Sequence, residues 1–419
     1  MNFLKALPRA TAPAALGSLV SLAAQGFLAL VLFKLFSPEA VGVFSVTSQI
    51  AFFWASLALA QSPLSLLANR HEEPRAAARQ AWWQSVRRML WLAPLAAVGA
   101  AWAGLGHWGA VWAWAAALCV TQLSWLLAQS LTLRLGSRWS MAWVRLVPPV
   151  LAAWAVLLGA WGFHGAGAPV LLGAAVVGYA VGAWWLRLAW QSGASAALDT
   201  VPTSEADEPA ASQSDPRSAR LKMLHALVDG LAATTLAVSW PAHYGAQEAG
   251  WLLAVLRVLS FVPALVHTAW AQVVLGSASA VRLRPVHVAW AASALVLGVG
   301  ALVQLALALA WLDARWQGLS GYVWPLAAWQ IAACFMAAYA HWPFQKGLAS
   351  VYSGLCIAIH LGLMALCVGL PWLGDVAASQ HVRVIAAYMA MSLGGLTLWL
   401  VACPSRLVCG DAGSAAPGS

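Results

Sequence analysis

Apolar stretches of about 20 residues, long enough to cross a bilayer, recur from one end of this 419-residue chain to the other. Charged residues make up only 8% of it, and its mean hydropathy is +0.77. About twelve spans are expected, near 12–35, 43–68, 88–105, 108–132, 141–161, 168–189, 221–242, 250–276, 286–311, 320–341, 347–370 and 380–402. The gaps between them take basic residues alternately. One set holds Lys5 and Arg9; Arg70, Arg75, Arg79, Arg87 and Arg88; Arg134, Arg138 and Arg145; Arg187, Arg217, Arg220 and Lys222; Arg282 and Arg284; Lys346; and Arg406. Of the 22 Lys and Arg, only Lys34, Arg315 and Arg383 fall in the other gaps, and Arg257 lies inside a span. The positive-inside rule then puts both termini in the cytoplasm, as an even number of spans also demands.

The longest polar gap, 191–220, reads QSGASAALDTVPTSEADEPAASQSDPRSAR. Pro, Ser, Ala and acids without aromatics make a flexible linker. It divides the chain into an N-terminal six-helix bundle over 1–190 and a C-terminal one over 221–405, followed by a small, polar tail over 406–419 that should be disordered. The two halves carry a short repeat: SPEAVGVFSVTSQ at 37–49 and AQEAGWLLAVLR at 246–257. Aligning Gly42 with Gly250 lays the first span over the seventh and the second over the eighth, and puts Gln49 over Arg257. Six spans repeated after an even count keep their orientation. The expected fold is therefore all-α and integral to the membrane, with two pseudo-symmetric six-helix bundles around a central cavity, related by an axis along the membrane normal.

A net charge of +9 does not point to nucleic acid, because the cations are scattered over loops where topology already requires them and no folded basic domain is present. The six cysteines include no C-x-x-C pair and read as small buried side chains rather than a disulfide frame or a metal site. Many of the 27 tryptophans lie near span ends (Trp82, Trp83, Trp108, Trp112, Trp185, Trp240 and Trp342), where interfacial anchoring is expected. The first apolar stretch is too long for a signal h-region and is expected to be retained as a span. There is no P-loop, no G-x-S-x-G and no H-E-x-x-H, so an ATP-driven pump in one chain is not expected.

Arg257 is the sharpest chemical signal. It sits about seven residues, or roughly 10 Å, into a span, where exposure to lipid is costly. The plainer alternative is an arginine snorkelling to the outer interface. The functional reading is a fixed cation in the cavity, since a guanidinium donates two parallel bonds to phosphate and does not deprotonate. Asp229, roughly two turns above the cytoplasmic end of its span, reads as an ion-coupling carboxylate, with a wet interfacial acid bonded to a neighbour such as His225 as the alternative. Lys34, at the outer end of the first span, reads as a second cation at the cavity mouth or as an interfacial lysine. Gln25 and Gln49 are candidate cavity-lining residues, although such amides more often glue helices; Gln49 stands out by its equivalence to Arg257. His360, Gln122, Gln129, Gln304 and Gln330 are further intramembrane polar groups, read as packing or cavity lining. Pro148–Pro149, Pro263 and Pro325 are expected to kink their spans.

The segments SPEAVGVFSVTSQ and YGAQEAGWLLAVLRVLSFVPALVHTAWAQVV (244–274) resemble polysaccharide-biosynthesis flippases of the multidrug/oligosaccharidyl-lipid/polysaccharide exporter superfamily. The matching elements are Glu248 and Gly250 at the helix start, Arg257, and Pro263, within a layout that covers most of the chain. The resemblance implies a V-shaped pair of six-helix bundles around a cationic cavity. That cavity would take the diphosphate and sugars of an undecaprenyl-linked O-antigen, lipopolysaccharide or exopolysaccharide unit in the bacterial inner membrane. Arg257 matches the family's cavity arginine in the eighth span. The lipid II branch carries several arginines in its first two spans, where this chain has only Lys34, so lipid II is not the expected substrate. The resemblance implies transport rather than bond chemistry; no cofactor is expected, and Asp229 would carry H⁺ or Na⁺ as the coupling ion. Expected partners are the lipid-linked oligosaccharide, membrane lipids, and a polysaccharide polymerase with its export machinery. Two other readings stand beside it. A membrane glycosyltransferase or polymerase would want paired acids outside, where only Glu39, Glu248, Asp313 and Asp375 lie. A multidrug antiporter of the same superfamily would want an acid in the first span, which holds Ser18, Ser21 and Gln25 instead.

Overall fold

A computed structural model of the chain describes residues 27–60, 62–63, 66, 73–134, 138–162, 167–193, 216–270 and 284–403. Among these, every regular element is helical. The long helices are α1 (Pro38–Leu59), α2 (Pro74–Trp102), α3 (Trp108–Arg134), α4 (Arg138–Gly162), α5 (Ala168–Gly193) and α6 (Pro216–Leu259). A short α7 (Phe261–Leu265) runs into a π-helical turn, Val266–Trp270. Then come α8 (Pro285–Ala308), a 3₁₀ turn (Ala314–Leu319), α9 (Ser320–Tyr339), the single-turn α10 (Trp342–Gln345), α11 (Ala349–Gly369) and α12 (Ala378–Ala402). Most of the expected first span, the 191–220 linker beyond residue 193 and up to 215, and the 406–419 tail lie outside the described residues.

Seven segments among the described residues are long and apolar enough to cross a membrane: Pro38–Leu59, Trp108–Thr132, Arg220–Leu265, Pro285–Ala308, Ala314–Tyr339, Ala349–Trp372 and Ala378–Ala402. They mark the chain as a multi-pass membrane protein. Two shorter apolar helices, Leu146–Gly162 and Ala168–Trp184, accompany them. The helix α2 is long enough to span but opens with Arg75, Arg79, Arg87 and Arg88. These arginines were expected in a loop and instead occupy the first turns of a helix that begins at Pro74.

The 242–249 gap, expected as a loop, is also helical. The helix α6 runs through it with one interruption, at Gly245 (φ 84, ψ 169). The apolar stretch Arg220–Leu265 has 46 residues, roughly 69 Å if straight and about twice a bilayer's hydrocarbon thickness. The chain must therefore turn at Gly245, whose dihedrals only glycine adopts without strain. Of the prolines read as kinks, only Pro263 accompanies a break: α6 stops at Leu259 and α7 starts at Phe261. Pro148, Pro149 and Pro325 lie within continuous helices.

The chain divides into two compact units, Met1–Asp207 with Ala237–Gly250, and Glu208–Leu236 with Trp251–Ser419. In the first unit, α1 packs against α2, α3 and α5, and α4 packs against α5. Ser37 caps α1, accepting from the Ala40 amide at 3.3 Å, and Pro38 takes the first helical position, where no amide hydrogen is needed. In the second unit, α9 lies against α8 and α12, α11 packs on α12, and α7 with its π turn leans on α9.

In a bilayer every carbonyl that a helix leaves open must find a donor within the protein, and tryptophan supplies many of these here. Pro148 has no amide hydrogen for the Val144 carbonyl one turn back, and the Trp125 indole of α3 donates to it at 3.1 Å. Trp54 donates to Met89 O at 2.9 Å and Trp112 to Ala93 O at 3.3 Å, both on α2. Trp270 donates to Ala338 O, in the last turn of α9, at 3.0 Å. Trp112 is thus a helix cross-link, and Trp240 is fully buried; neither is the interfacial anchor expected. Trp83 and Trp108 are exposed in the manner expected of anchors. Two cations also close helix ends. Arg88 donates to Leu59 O at 3.3 Å, and Lys346 donates to Leu400 O and Cys403 O at 3.0 and 2.9 Å.

Candidate functional site

The repeat read in the sequence has a physical counterpart within the first unit. A Cβ built on Gly42 would strike the Ala246 carbonyl oxygen, and one built on Gly250 would strike the Pro38 carbonyl oxygen. Pro38 stands to Ala246 as Gly42 stands to Gly250, so the contact is reciprocal, as an isologous contact is in a symmetric dimer. Backbone meets backbone here only because both positions lack a side chain. The two starts are alike as well: α1 follows the cap at Ser37, and the second segment of α6 follows the break at Gly245, which is the repeat equivalent of Ser37.

Beyond this seam the matched residues are Gln49 and Arg257. Gln49 is half-buried on α1, whereas Arg257 is exposed on α6, a few residues before the helix ends at Leu259. Arg257 follows the turn at Gly245 by about three helical turns, roughly 17 Å of helix. This is deeper than the sequence spacing indicated, because the helix begins at Ala246 rather than near 250. An arginine at that depth demands water or protein around its head group. Lys34 is exposed at the end of the helical stretch 27–35. Gln25 lies outside the described residues.

Asp229 sits near the middle of the first segment of α6, and its partner is not the expected His225. Its Oδ1 lies 3.1 Å from Nε2 of His360, in the middle of α11. The Asp229 side chain is 63% exposed and that of His360 only 15%. His225, one turn before Asp229, stacks on the His360 ring with centroids 6.1 Å apart. The Tyr352 ring meets His225 edge-on at 5.9 Å. The other ring nitrogen of His360, Nδ1, is buried and has no hydrogen-bond partner. This cluster belongs wholly to the second unit and to two helices, α6 and α11.

The remaining polar groups read as packing or lining behave in the first sense where their contacts are resolved. Gln304 donates to Ser320 O at 2.9 Å, tying α8 to α9, and Gln122 and Gln330 are buried. No group of three or more His, Cys, Asp or Glu side chains that could hold a metal ion occurs among the described residues. Between α8 and α9, the Arg315 guanidinium bonds the exposed Asp313 carboxylate at 2.9 Å and holds its pKa down at about 2. Comparison with protein families, with curated proteins and with solved structures finds no match for this chain.

Proposed function

We propose that this protein is a flippase that moves a polyprenyl-diphosphate-linked oligosaccharide or polysaccharide repeat unit from the cytoplasmic to the outer leaflet of a bacterial inner membrane by alternating access. The observation that carries the reading is Arg257, an exposed guanidinium about three turns into the second segment of α6, directly after the apolar run 249–256. Keeping a permanent charge there costs several kcal/mol unless something recovers it. An anionic cargo would do so, and a diphosphate fits the planar donor fork best. The reciprocal contact at Gly42 and Gly250 supports a duplicated transporter of about twelve spans in two halves, and the resemblance of the 37–49 and 244–274 segments supports the cargo class. On this reading both termini are cytoplasmic, Lys34, Gln25 and Gln49 line the path of the cargo, and Asp229 couples transport to an ion.

The test is accumulation of lipid-linked glycan in a strain whose own flippase is deleted and replaced by this gene. Arg257→Lys keeps the charge but loses the fork, so export should fall partially. Arg257→Ala should cut it by about tenfold or more, and Arg257→Glu should be worst, because a carboxylate repels the diphosphate. Membrane levels of all three should match the wild type. Normal export by well-expressed Arg257→Ala would remove the cationic site from the mechanism.

A further inference from the structure

We infer that His360 and Asp229, with His225 stacked beside them, form a binding site for a single proton inside the membrane-spanning part of the second unit. The inference sharpens the ion coupling in the proposed function, but it rests on the geometry of α6 and α11 and would hold for a transporter of any cargo.

The Asp229 carboxylate accepts from Nε2–H of His360 at 3.1 Å. A neutral imidazole bonded in this way carries its lone pair on Nδ1, and that atom is buried without a partner. It is the unfilled proton position of the imidazole. Adding a proton leaves Nδ1 just as unpartnered, as an N–H in place of a lone pair, so hydrogen bonding does not decide between the two states. Charge does. Unloaded, the pair carries one negative charge near the middle of two membrane helices; loaded, it is an imidazolium–carboxylate pair of zero net charge. A neutral pair is the form that apolar surroundings tolerate. The carboxylate, 63% exposed, is the open side of the pair.

The groups that face the pair limit it to one proton. From α6 come His225 and Asp229 itself. From α11 come Tyr352 and Cys356, two turns and one turn before His360, and neither carries a charge at neutral pH. From α12, Tyr388 donates its hydroxyl to Ile359 O at 2.9 Å. The one other imidazole there is His225, and at 6.1 Å from the His360 ring a second imidazolium would be repelled by the first. Sodium is the poorer occupant: a hard cation wants several oxygens, and the cluster offers one carboxylate beside imidazole nitrogens. Loading the proton turns a single hydrogen bond between α6 and α11 into an ion pair. The same α6, beyond Gly245, carries Arg257.

The test is an NMR titration of the full-length protein in lipid nanodiscs, labelled with ¹³C at histidine Cε1, between about pH 5 and 8, first in KCl and then in NaCl. His360→Gln identifies the His360 resonance by its loss. In the wild type this resonance should titrate across the range, identically in both salts. In Asp229→Asn it should no longer titrate there, and in Asp229→Glu, which returns a carboxylate, titration should reappear. A His360 resonance that stays flat in the wild type, one that titrates unchanged in Asp229→Asn, or one whose titration moves when sodium replaces potassium would each overturn the proton site. None of these readings involves glycan, so the proton site can fail while the flippase reading stands, and the reverse.

Discussion

The helix α1 and the second segment of α6 begin alike and end differently. Both start after a capped or broken residue, Ser37 or Gly245, and both reach a glycine pressed against the other's backbone. From there α1 runs unbroken to Leu59 and is held laterally by the Trp54 indole on α2. The α6 segment instead carries an exposed Arg257 where α1 has a half-buried Gln49. It stops at Leu259, and the chain resumes as α7 and a π turn. The residue that separates them is Pro263, which aligns with Ala55, a side chain with no exposure at all. The comparison sets a continuous helix, α1, against a segment that carries a charge and is interrupted at Ser260. Charge and break lie within two turns of each other, which is where π-helical distortions tend to accompany function.

The comparison can be broken most severely at the seam. Gly42→Val and Gly250→Val each drive a side chain into a fixed carbonyl. Each should lower thermal stability by about 3 kcal/mol or prevent folding, and the two should be equally harmful because the contact is reciprocal. Melting in detergent reads this, and tolerance of one variant but not the other would refute the reciprocity. Exchanging the divergent residues comes next. Ala55→Pro should break α1 at a cost of about 3 kcal/mol, whereas Pro263→Ala should leave the melting temperature nearly unchanged yet impair export by letting α6 run straight. Equal effects on stability would mean that the break at Ser260 has another cause. The smallest effect concerns the tryptophan cross-links. Trp125→Phe keeps the ring but strands the Val144 carbonyl that Pro148 leaves open, and should cost about 1–3 kcal/mol. An unchanged melting temperature would show that water reaches that carbonyl.

The apolar stretches that form the seven candidate spans among the described residues were legible in the sequence, because a bilayer imposes one length on a spanning stretch. The repeat was legible in a dozen residues because the glycines at its centre have a steric task. Other features were hidden for physical reasons. A loop of eight residues was expected at 242–249, but a break between helices needs only one residue with positive φ, and Gly245 supplies it. The arginines of α2 looked like a loop because hydropathy registers charge and not backbone conformation. Asp229 was singled out by its charge, yet its partner is on a distant helix, and helical periodicity reports the face of one helix without the identity of its neighbour. The available signal was His360 itself, a polar residue in the middle of an apolar helix, where such groups rarely stand without function.

The central claim, that this protein moves a polyprenyl-diphosphate-linked glycan on Arg257, is tested most directly by reconstitution. Purified protein in liposomes would be supplied with a fluorescent polyprenyl-diphosphate-linked oligosaccharide in both leaflets, and its exposure to a membrane-impermeant quencher followed in time. The expected result is transbilayer movement with the wild type, slowed by about tenfold or more with Arg257→Ala. Movement at the wild-type rate with Arg257→Ala, or none above empty liposomes with the wild type, would contradict it.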